Sequence, residues 1–367
     1  TLLRVDGRSL RGESPEAAAR EARYRALAEW LPAQYCLLTA QHQDDQAETL
    51  LLQLLRGSGV SGLAAMPVLT GLGGGWHLRP LLDMTRAALH QYASAHTLRW
   101  IEDPSNVSSA YARKSLRLHV LPLRRTRWPA VSSSLSRSAA HCAEASALLG
   151  QLADNDLQGV SGVHADTLSV AGVVALPCDR QSNVLRAWLQ RCSGGMPSSA
   201  VLRRIVTDVL YSRPDAGPAV RWDRFEVRRY RDDMFCLQQA DSRDATQILH
   251  WSLSAPLNLP GSGGVLTATP VIGAGLRSAD AAAYGVRVSW RRGGEVCLPA
   301  GRKHHHSLKK LFQVQGLPPW ERLRIPLIYI REKLAMVPGL CVCVPYQAGP
   351  AEPGVLITWD GGNGLPA

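Results

Sequence analysis

The sequence contains no apolar run that approaches the roughly 20 residues needed to cross a bilayer. Its first residues, TLLRVDGRSLRGE, also lack the basic and then apolar pattern of a secretory signal. The eight cysteines include no CxxC pair, which argues against a zinc knuckle or a thioredoxin-type dithiol. Scattered cysteines in a chain of 367 residues are typical of reduced cytosolic thiols, so we expect a cytoplasmic protein with no membrane partner.

Acidic residues are absent between Asp103 and Glu144, although that tract is rich in positive charge. Its seven cations are Arg113, Lys114, Arg117, Arg124, Arg125, Arg127 and Arg137. The whole chain carries a formal net charge of +11. An uneven excess of this kind favours a polyanionic partner, with nucleic acid as the first candidate. The alternative is an ordinary solvated basic surface.

The periodicity of the first hundred residues predicts alternating helices and strands. A helix that begins at Ser14, a short buried strand over 35–40 and a helix over 44–55 are expected in that order. A further helix capped by Asp83 and a short strand over 98–102 follow. Helices and strands in this alternation suit a parallel α/β sheet with helices on its faces.

Length and pattern divide the chain into four expected segments. These are an α/β domain over 1–128, a mostly helical domain over 129–240, a linker or short strands over 241–285 and a small β-rich α+β domain over 286–367. Within the second segment, the alternating residues 219–238 are interpreted as one hairpin that turns near Asp232.

Four polar residues cluster where the second predicted helix begins: His42, Asp44, Asp45 and Glu48. Spacing of three and four places Asp45, Glu48 and Thr49 on one helix face. In open α/β sheets, ligands bind beyond the carboxyl ends of strands, where carboxylates hold Mg²⁺ on nucleotide phosphates or a substrate ammonium. The alternative is structural, because Asp44 and Asp45 also complement the helix dipole and Asp45 with Glu48 forms a plausible cap.

Several sequence blocks, in order along the chain, resemble the signature of tRNA(Ile)-lysidine synthetases. The N-terminal blocks are QHQDDQAETLLLQLLRGSGVSGLAAM (41–66), RPLL (79–82), WIEDPSN (100–106) and YARKSLRLHVLP (111–122). The C-terminal blocks are RRGGEVCLP (291–299), SLKKLFQ (307–313) and GLPPWERLRIPLIY (316–329). The resemblance covers nearly the whole chain, although the middle matches only in outline.

This resemblance implies an N-type ATP pyrophosphatase with a partial Rossmann-like parallel sheet, that is, a ligase acting in tRNA processing. Residues 1–128 would be a partial catalytic domain and residues 129–240 a tRNA-recognition domain. Such enzymes add lysine to C2 of the wobble cytidine of isoleucine tRNA, forming lysidine. ATP first adenylates the C2 oxygen and releases pyrophosphate, and the lysine amine then displaces AMP. The implied partners are isoleucine tRNA, L-lysine and ATP, with Mg²⁺ as cofactor. Family members are often dimers, which leaves a homodimer open.

Carried onto this chain, the resemblance makes Asp45 the first candidate for contact with Mg²⁺ or the lysine ammonium. Asp44 and Glu48 would support it, and His42 would lie beside the nucleotide or the target base. Arg56, at the end of the helix, would face phosphate or RNA, unless it only complements the helix dipole.

Three residues of the later blocks border the same implied site. Arg113 is expected in the catalytic group, and Asn106 and Arg117 beside nucleotide or RNA phosphate. Because Arg113 and Arg117 are four apart, they would form one cationic face. Solvated surface charge is the alternative for that face.

The C-terminal domain is expected to grip tRNA through positive charge, since nine lysines and arginines lie between Arg287 and Arg324 against two glutamates. The candidate contacts are Arg291, Arg292, Arg302, Lys303, Lys309, Lys310 and Arg322. The three histidines at 304–306 lack a further ligand at metal-binding spacing. Trp320 would either stack on a base or pack in a turn.

The sequence departs from the family in two short motifs and in one longer one. The family's histidine pair is Gln41-His42 here, and its Arg-Asn pair is Arg113-Lys114. No SGGxDS phosphate loop is present, and SGGM (193–196) and SGGV (262–265) lack its aspartate and serine. Since such a loop grips phosphates through backbone N–H groups, we expect the chain as given to be incomplete for ATP binding and not to turn over ATP.

Two other functions are compatible with these features. A tRNA thiolase of the same superfamily would usually need CxxC cysteines, which are absent. A non-catalytic tRNA-binding protein would keep the basic surfaces without the nucleotide site.

Overall fold

The computed structural model describes residues 2–9, 15–101, 112–213, 216–239, 247–261, 263–302 and 304–361. They belong to two compact units, 1–152 and 153–367. The expected helix start at Ser14 lies outside the described residues, and so does the end of the expected strand over 98–102. Within the described ranges, no helix is both long and apolar enough to cross a membrane.

The first unit is built on a three-stranded sheet of order β1-β3-β2, in which β1 and β3 are parallel and β2 is antiparallel to β3. The strands are β1 Cys36–Leu38, β2 Leu69–Leu72 and β3 Gly75–Leu78. The helices are α1 Pro15–Trp30, α2 Gln43–Leu55, α3 Val60–Leu63, α4 Arg86–Ala95, α5 Ala112–Ser115, α6 Leu121–Arg127 and α7 Val131–Gly159, with a π-helical stretch Leu116–Val120 between α5 and α6.

The strand predicted to be buried, β1, lies at the edge of this sheet and is half open. Cys36 and Leu38 share its uncovered face, and the Leu38 side chain is 61% exposed. The apolar run at 36–38 therefore predicted the strand correctly but overstated its burial, because a run of apolar residues does not show whether both faces are covered.

The fourth helix begins later than predicted. Thr85, not Asp83, is the cap, and its Oγ1 accepts a hydrogen bond of 3.1 Å from the Ala88 N–H. At the other end, Thr97 has φ of +51° and the Leu98 N–H binds the Ala93 carbonyl at 2.9 Å. This is a left-handed helix closure, and residues 98–101 form no strand because the Leu98 amide is used by the helix.

The first part of the second unit combines helices with an antiparallel sheet of order β4-β7-β6-β5. Its elements are β4 Leu168–Ser169, α8 Val170–Ala175, α9 Cys178–Ser193, α10 Ser199–Arg204, a π-helical stretch Ile205–Leu210, β5 Ala219–Trp222, β6 Phe225–Tyr230 and β7 Asp233–Gln238. Residues 219–238 form three strands rather than one hairpin. The extra turn occurs at Asp223, whose φ is +43°.

The rest of the second unit contains two larger sheets, of order β11-β18-β10-β9 and β17-β16-β15-β12-β8, and the ladder β13-β14. The strands are β8 Leu249–Trp251, β9 Leu257–Asn258, β10 Val265–Ile272, β11 Leu276–Arg277, β12 Val286–Ser289, β13 Val296–Cys297, β14 His306–Ser307, β15 Leu327–Ile330, β16 Lys333–Val337, β17 Cys341–Val342 and β18 Pro353–Asp360. The helices are α11 Ser278–Tyr284, α12 Leu308–Val314 and α13 Pro319–Arg322, with a 3₁₀ turn Val344–Tyr346.

The region over 241–285, left open as a linker or short strands, supplies real strands to these sheets. In particular, β10 pairs with β18 along eight residues. Leu266 and Leu276 from this region are fully buried in the same apolar cluster as Ile328 and Ile330. The described residues between 247 and 284 are therefore packed into the C-terminal fold.

Candidate active site and nucleic-acid surface

A pocket of about 510 Å³ lies at the start of α2. It is lined by His42, Gln43, Asp44, Glu48, Thr85, Arg86, Ala87, His90, Arg117, Leu121, Arg125, Pro129, Ala130, Ser132 and Ser133. These residues come from α2, α4, the π-helical stretch, α6 and the beginning of α7. The fold thus brings sequence blocks that are up to about ninety residues apart to one cavity.

Glu48 is the most deeply buried acid of this pocket, at 1% exposure. Arg117 binds both of its oxygens, with Nε 2.6 Å from Oε1 and Nη2 2.9 Å from Oε2. The same Nη2 donates to Asp45 Oδ1 at 2.8 Å. The hydrogen bond to Glu48 is the main cause of the raised pKa of Arg117, so the guanidinium stays charged. A buried carboxylate needs such a partner, because an unpaired charge is costly to desolvate.

Asp44 is held by a second set of donors. Its Oδ2 accepts a hydrogen bond of 3.0 Å from the Arg86 backbone N–H, and its Oδ1 binds Arg125, which also contacts Ser132 at 3.1 Å. Burial raises the pKa of Asp44, but hydrogen bonds from Arg86 and Ser132 and the charge of Arg125 outweigh it, so the pKa lies below its ordinary value. Asp44 is therefore ionised at neutral pH.

Two residues that line this cavity each have a buried polar atom with no hydrogen-bond partner among the described residues. His42 lies with Nε2 3.4 Å from Asp45 Oδ2 and Nδ1 4.0 Å from Asp44 Oδ2, and its buried Nδ1 makes no hydrogen bond. The buried Oε1 of Gln43 is also unpaired. Buried polar atoms are normally paired, so these two atoms are unsatisfied in this arrangement.

Arg113 also turns toward α2. Its Nη2 lies 2.6 Å from Thr49 Oγ1, and its Nε lies 3.9 Å from Glu48 Oε2. Arg113 and Arg117 do share a face, but the structure turns that face onto the acids of α2. Much of the positive charge expected to meet phosphate is thus already neutralised inside the protein.

The three acids do not fit a resident Mg²⁺ in this arrangement. Arg117 occupies both oxygens of Glu48 and one of Asp45, whose other oxygen accepts the His42 N–H at 3.1 Å. Both oxygens of Asp44 are also occupied. Among the described residues, no group of three or more candidate ligands could hold a metal ion.

One of the expected phosphate contacts, Arg56, lies elsewhere. Arg56 is exposed at the end of α2, does not line the pocket and has no ion pair within the described ranges. Asn106 lies outside the described residues.

Several pocket residues were missed by the sequence analysis: Gln43, Thr85, Arg86, His90, Arg125 and Ser132. Arg125 carried a signal, since it lies in the acid-free tract and is eight residues after Arg117. The others are ordinary surface residues in sequence, and only the packing of α4 and α7 against α2 brings them to the cavity.

The expected tRNA contacts of the C-terminal domain differ in exposure. Arg302, Lys309 and Lys310 are exposed, without an ion pair in the described parts of the chain, and Arg292 is exposed as well. Arg291 Nε lies 3.4 Å from Glu295 Oε2, so it is partly neutralised. Lys303 lies outside the described residues.

Arg322 is a correction to the expected tRNA surface. It is 6% exposed, and its guanidinium donates to the Leu317 carbonyl at 2.8 Å and to the Tyr230 hydroxyl at 3.0 Å. Its neighbour Trp320 packs edge-on against Phe235, with ring centroids 5.2 Å apart. Both residues attach α13 to the β6–β7 hairpin, and the buried Arg322 offers no free surface to RNA.

Comparison with known proteins accords with the sequence blocks. The family model of the PP-loop domain matches residues 2–124. The model of the TilS substrate binding domain matches residues 168–235, and that of the TilS substrate C-terminal domain matches residues 286–359. These matches confirm the predicted fold class, an α/β domain followed by a further domain and a small C-terminal α+β domain.

Three curated relatives are each named tRNA(Ile)-lysidine synthase. The one from Coxiella burnetii is 44% identical over 92% of this chain and 74% of its own length. The one from Methylococcus capsulatus is 42% identical over 98% and 82%, and the one from Proteus mirabilis is 39% identical over 94% and 78%. These relatives favour neither a thiolase nor a non-catalytic protein. The chain therefore belongs to the tRNA(Ile)-lysidine synthase family.

Proposed function

We propose that this protein ligates lysine to C2 of the wobble cytidine of isoleucine tRNA at the expense of ATP. In the first step the C2 oxygen attacks the α-phosphate of ATP, and pyrophosphate leaves. In the second step the lysine amine attacks C2, AMP leaves with the oxygen, and the amine loses a proton. The base is thereby converted to lysidine.

One observation carries this proposal: side chains from the 41–66 and 111–122 blocks meet at a single pocket. His42, Asp44 and Glu48 line it from α2, and Arg117 lines it from the π-helical stretch. An arrangement that holds both carboxylates and guanidinium groups suits a reaction that must bind a polyphosphate and an ammonium together.

The paired charges suggest how the site takes up its substrates. A polyphosphate competes with the carboxylates for Arg117 and Arg125, because guanidinium groups bind phosphate as they bind carboxylate. Release of Arg117 would free Asp45 and Glu48 to hold the lysine ammonium. Arg113, which contacts Thr49 and lies near Glu48, is proposed to keep a positive charge beside Glu48 while Arg117 changes partner.

Asp45 as a ligand of Mg²⁺ also stays a proposal, and it requires that Arg117 first withdraw from the carboxylate. In the described arrangement both oxygens of Asp45 are occupied, one by Arg117 and one by the His42 N–H. Arg292, Arg302, Lys309 and Lys310 are proposed to contact tRNA phosphates, as are Arg56, Asn106, Lys303 and, more weakly, Arg291. A homodimer is compatible with this function and is measurable by sedimentation.

The test compares isoleucine tRNA with the same tRNA carrying uridine at the wobble position. We expect tighter binding of the cytidine form, with the difference lost in the Asp45→Asn variant. This readout measures binding and does not depend on ATP turnover. Lysidine found in the tRNA by nucleoside mass spectrometry, when ATP and lysine are added, would demonstrate the ligation directly. Equal affinity for both tRNAs, together with no lysidine, would contradict the proposal.

A further inference from the structure

Trp128 is a large aromatic residue left open beside the pocket. It directly follows α6 and is 54% exposed. The guanidinium carbon of Arg124 lies 6.0 Å from the centroid of its ring. We call Trp128, Arg124 and Arg127 together the Trp128 platform.

The helix that carries the platform has two distinct faces. Leu121 and Arg125, four residues apart, line the pocket. Arg124 and Trp128 are also four apart, on the neighbouring face, and both are exposed. The chain then continues through Pro129 and Ala130, which line the pocket again. Trp128 is therefore directly adjacent in sequence to Pro129, a residue of the cavity wall.

The charge around this ring is positive and unpaired. Arg124 and Arg127 are exposed and form no ion pair within the described ranges, and Arg137 in α7 is also exposed and unpaired there. Arg125 differs, since it binds Asp44. The described residues from 112 to 143 include no acid. The surface thus offers an aromatic face and positive charge, a combination that suits a single-stranded nucleic acid.

Other exposed tryptophans of the same unit lack this setting. Trp30, Trp76 and Trp100 are about as exposed as Trp128. In the described part of the chain no arginine is found over any of their rings, and none of them lines the pocket. A single exposed apolar side chain needs no explanation, but one with unpaired arginines beside a reaction pocket does.

We propose that the Trp128 platform stacks an unpaired base of the RNA loop whose neighbouring nucleotide enters the pocket. Bases of RNA loops are unstacked and can lie on an aromatic ring, while adjacent arginines neutralise the phosphates on either side. This inference rests on the proposed function in taking an RNA loop as the ligand and the pocket as the place where one of its nucleotides binds. Stacking accepts any base, so the platform positions the loop and does not read its sequence.

The test uses two RNA probes: a hairpin with the anticodon loop of isoleucine tRNA, and a blunt duplex of the same stem. Trp128→Ala should bind the hairpin roughly tenfold more weakly, and Trp128→Phe less so, because a benzene ring still stacks. Binding of the duplex should not change. Trp30→Ala, at 48% exposure, is the matched control and should bind both probes as the wild type does. Thermal unfolding of each variant confirms that the fold is kept.

Arg124→Gln gives a second and independent measurement. It should lower the slope of log affinity against log salt by about one for the hairpin. Unchanged hairpin affinity in Trp128→Ala, or an equal loss for hairpin and duplex, would overturn the platform. A hairpin with uridine at the wobble position separates the two proposals. Loss of discrimination between cytidine and uridine contradicts the proposed function, whereas the effect of Trp128→Ala should be the same on both hairpins.

Discussion

The positive charges of the first unit and those of the C-terminal domain have different surroundings. Arg113, Arg117 and Arg125 turn inward, and the last two bind carboxylates. Lys309 and Lys310, on α12, are exposed with no acidic partner within the described ranges. A high density of lysine and arginine in sequence is the same signal in both regions. The positions of the acidic residues decide whether a cation is paired inside the protein or is free to bind phosphate.

This difference predicts opposite consequences of removing charge. Where a guanidinium neutralises a buried carboxylate, its loss should mainly affect stability, since the acid is left without a partner. Where an ammonium is exposed and unpaired, its loss should mainly affect affinity for a polyanion and its dependence on salt. The following variants test each side of the comparison.

Arg117→Ala is expected to have the largest effect. It leaves Glu48, at 1% exposure, without its two hydrogen bonds, and Asp45 without one. We expect the free energy of unfolding of the first unit to fall by about 3 to 5 kcal/mol. Urea denaturation at neutral pH, followed by hydrogen exchange of the α2 amides, measures it.

Two further variants calibrate that result. Arg117→Lys keeps the charge but cannot bind both oxygens of Glu48 in a planar fork, so it should restore only part of the loss. Arg56→Ala, at the exposed end of the same helix, should change stability by no more than roughly 0.5 kcal/mol. If Arg117→Ala lowered the free energy of unfolding as little as Arg56→Ala does, the pairing of Arg117 with Glu48 would not stabilise the fold. The claim that the inward cations serve stability would then be wrong.

The double variant Lys309→Glu/Lys310→Glu tests the other side. We expect tRNA affinity at low salt to fall roughly tenfold or more, and the slope of log affinity against log salt to drop by about two or more. Stability should stay within roughly 0.5 kcal/mol of the wild type, because both side chains are exposed. Fluorescence anisotropy of labelled tRNA between 50 and roughly 200 mM salt provides the measurement.

Arg191→Glu is the control for this variant. Arg191 is exposed too, but its charge is paired with Asp154 at 2.5 Å. Its reversal should reduce tRNA affinity less than reversal of one unpaired lysine does. Full affinity of the lysine variant at low salt would show that α12 does not contact tRNA.

The sequence predicted the elements of the first unit better than their environments. The 3.6-residue period of α2 and its start after His42 were evident, because local residue types decide a helix and its cap. The exposure of Leu38 and the helix closure at Thr97 were not, since they depend on which faces find a partner and on one left-handed residue. The strands over 247–277 were hard to detect for a related reason: β10 is specified by its pairing with β18, about ninety residues later.

The sequence predicted which acidic residues of the site lie close together. It did not predict which cations pair with them. The spacing of Asp45 and Glu48 correctly placed them on one helix side, close enough for Arg117 to bind both. It could not show that Asp44 belongs to another set of contacts, with Arg86 and Arg125, because that depends on where α4 and α6 pack. Sequence therefore located the pocket, whereas the pairing of its charges required the tertiary structure.

Asp44→Asn removes a carboxylate charge that is paired with the half-exposed Arg125, and we expect this variant to have the smallest effect on stability. Since the pKa of Asp44 is lower in the folded protein than its ordinary value of 3.8, the folded state binds fewer protons in acid. The stabilisation that the Asp44 carboxylate provides is complete above its pKa in the unfolded chain. It is lost as the pH falls through the lower pKa of the folded protein. At pH 7 the variant should lose no more than about 1 kcal/mol, because Arg125 is half exposed.

The unfolding midpoint of Asp44→Asn and that of the wild type should converge as pH is lowered from about 5 to below 3.8, and thermal unfolding across this range follows the gap. Asp83→Asn, an exposed aspartate with no ion pair in the described part of the chain, should show no comparable gap at pH 7. A gap for Asp44→Asn that stayed constant with pH would mean that its carboxylate charge does not stabilise the site. The paired charges of the pocket would then contribute no more to stability than the exposed Lys309 and Lys310 do.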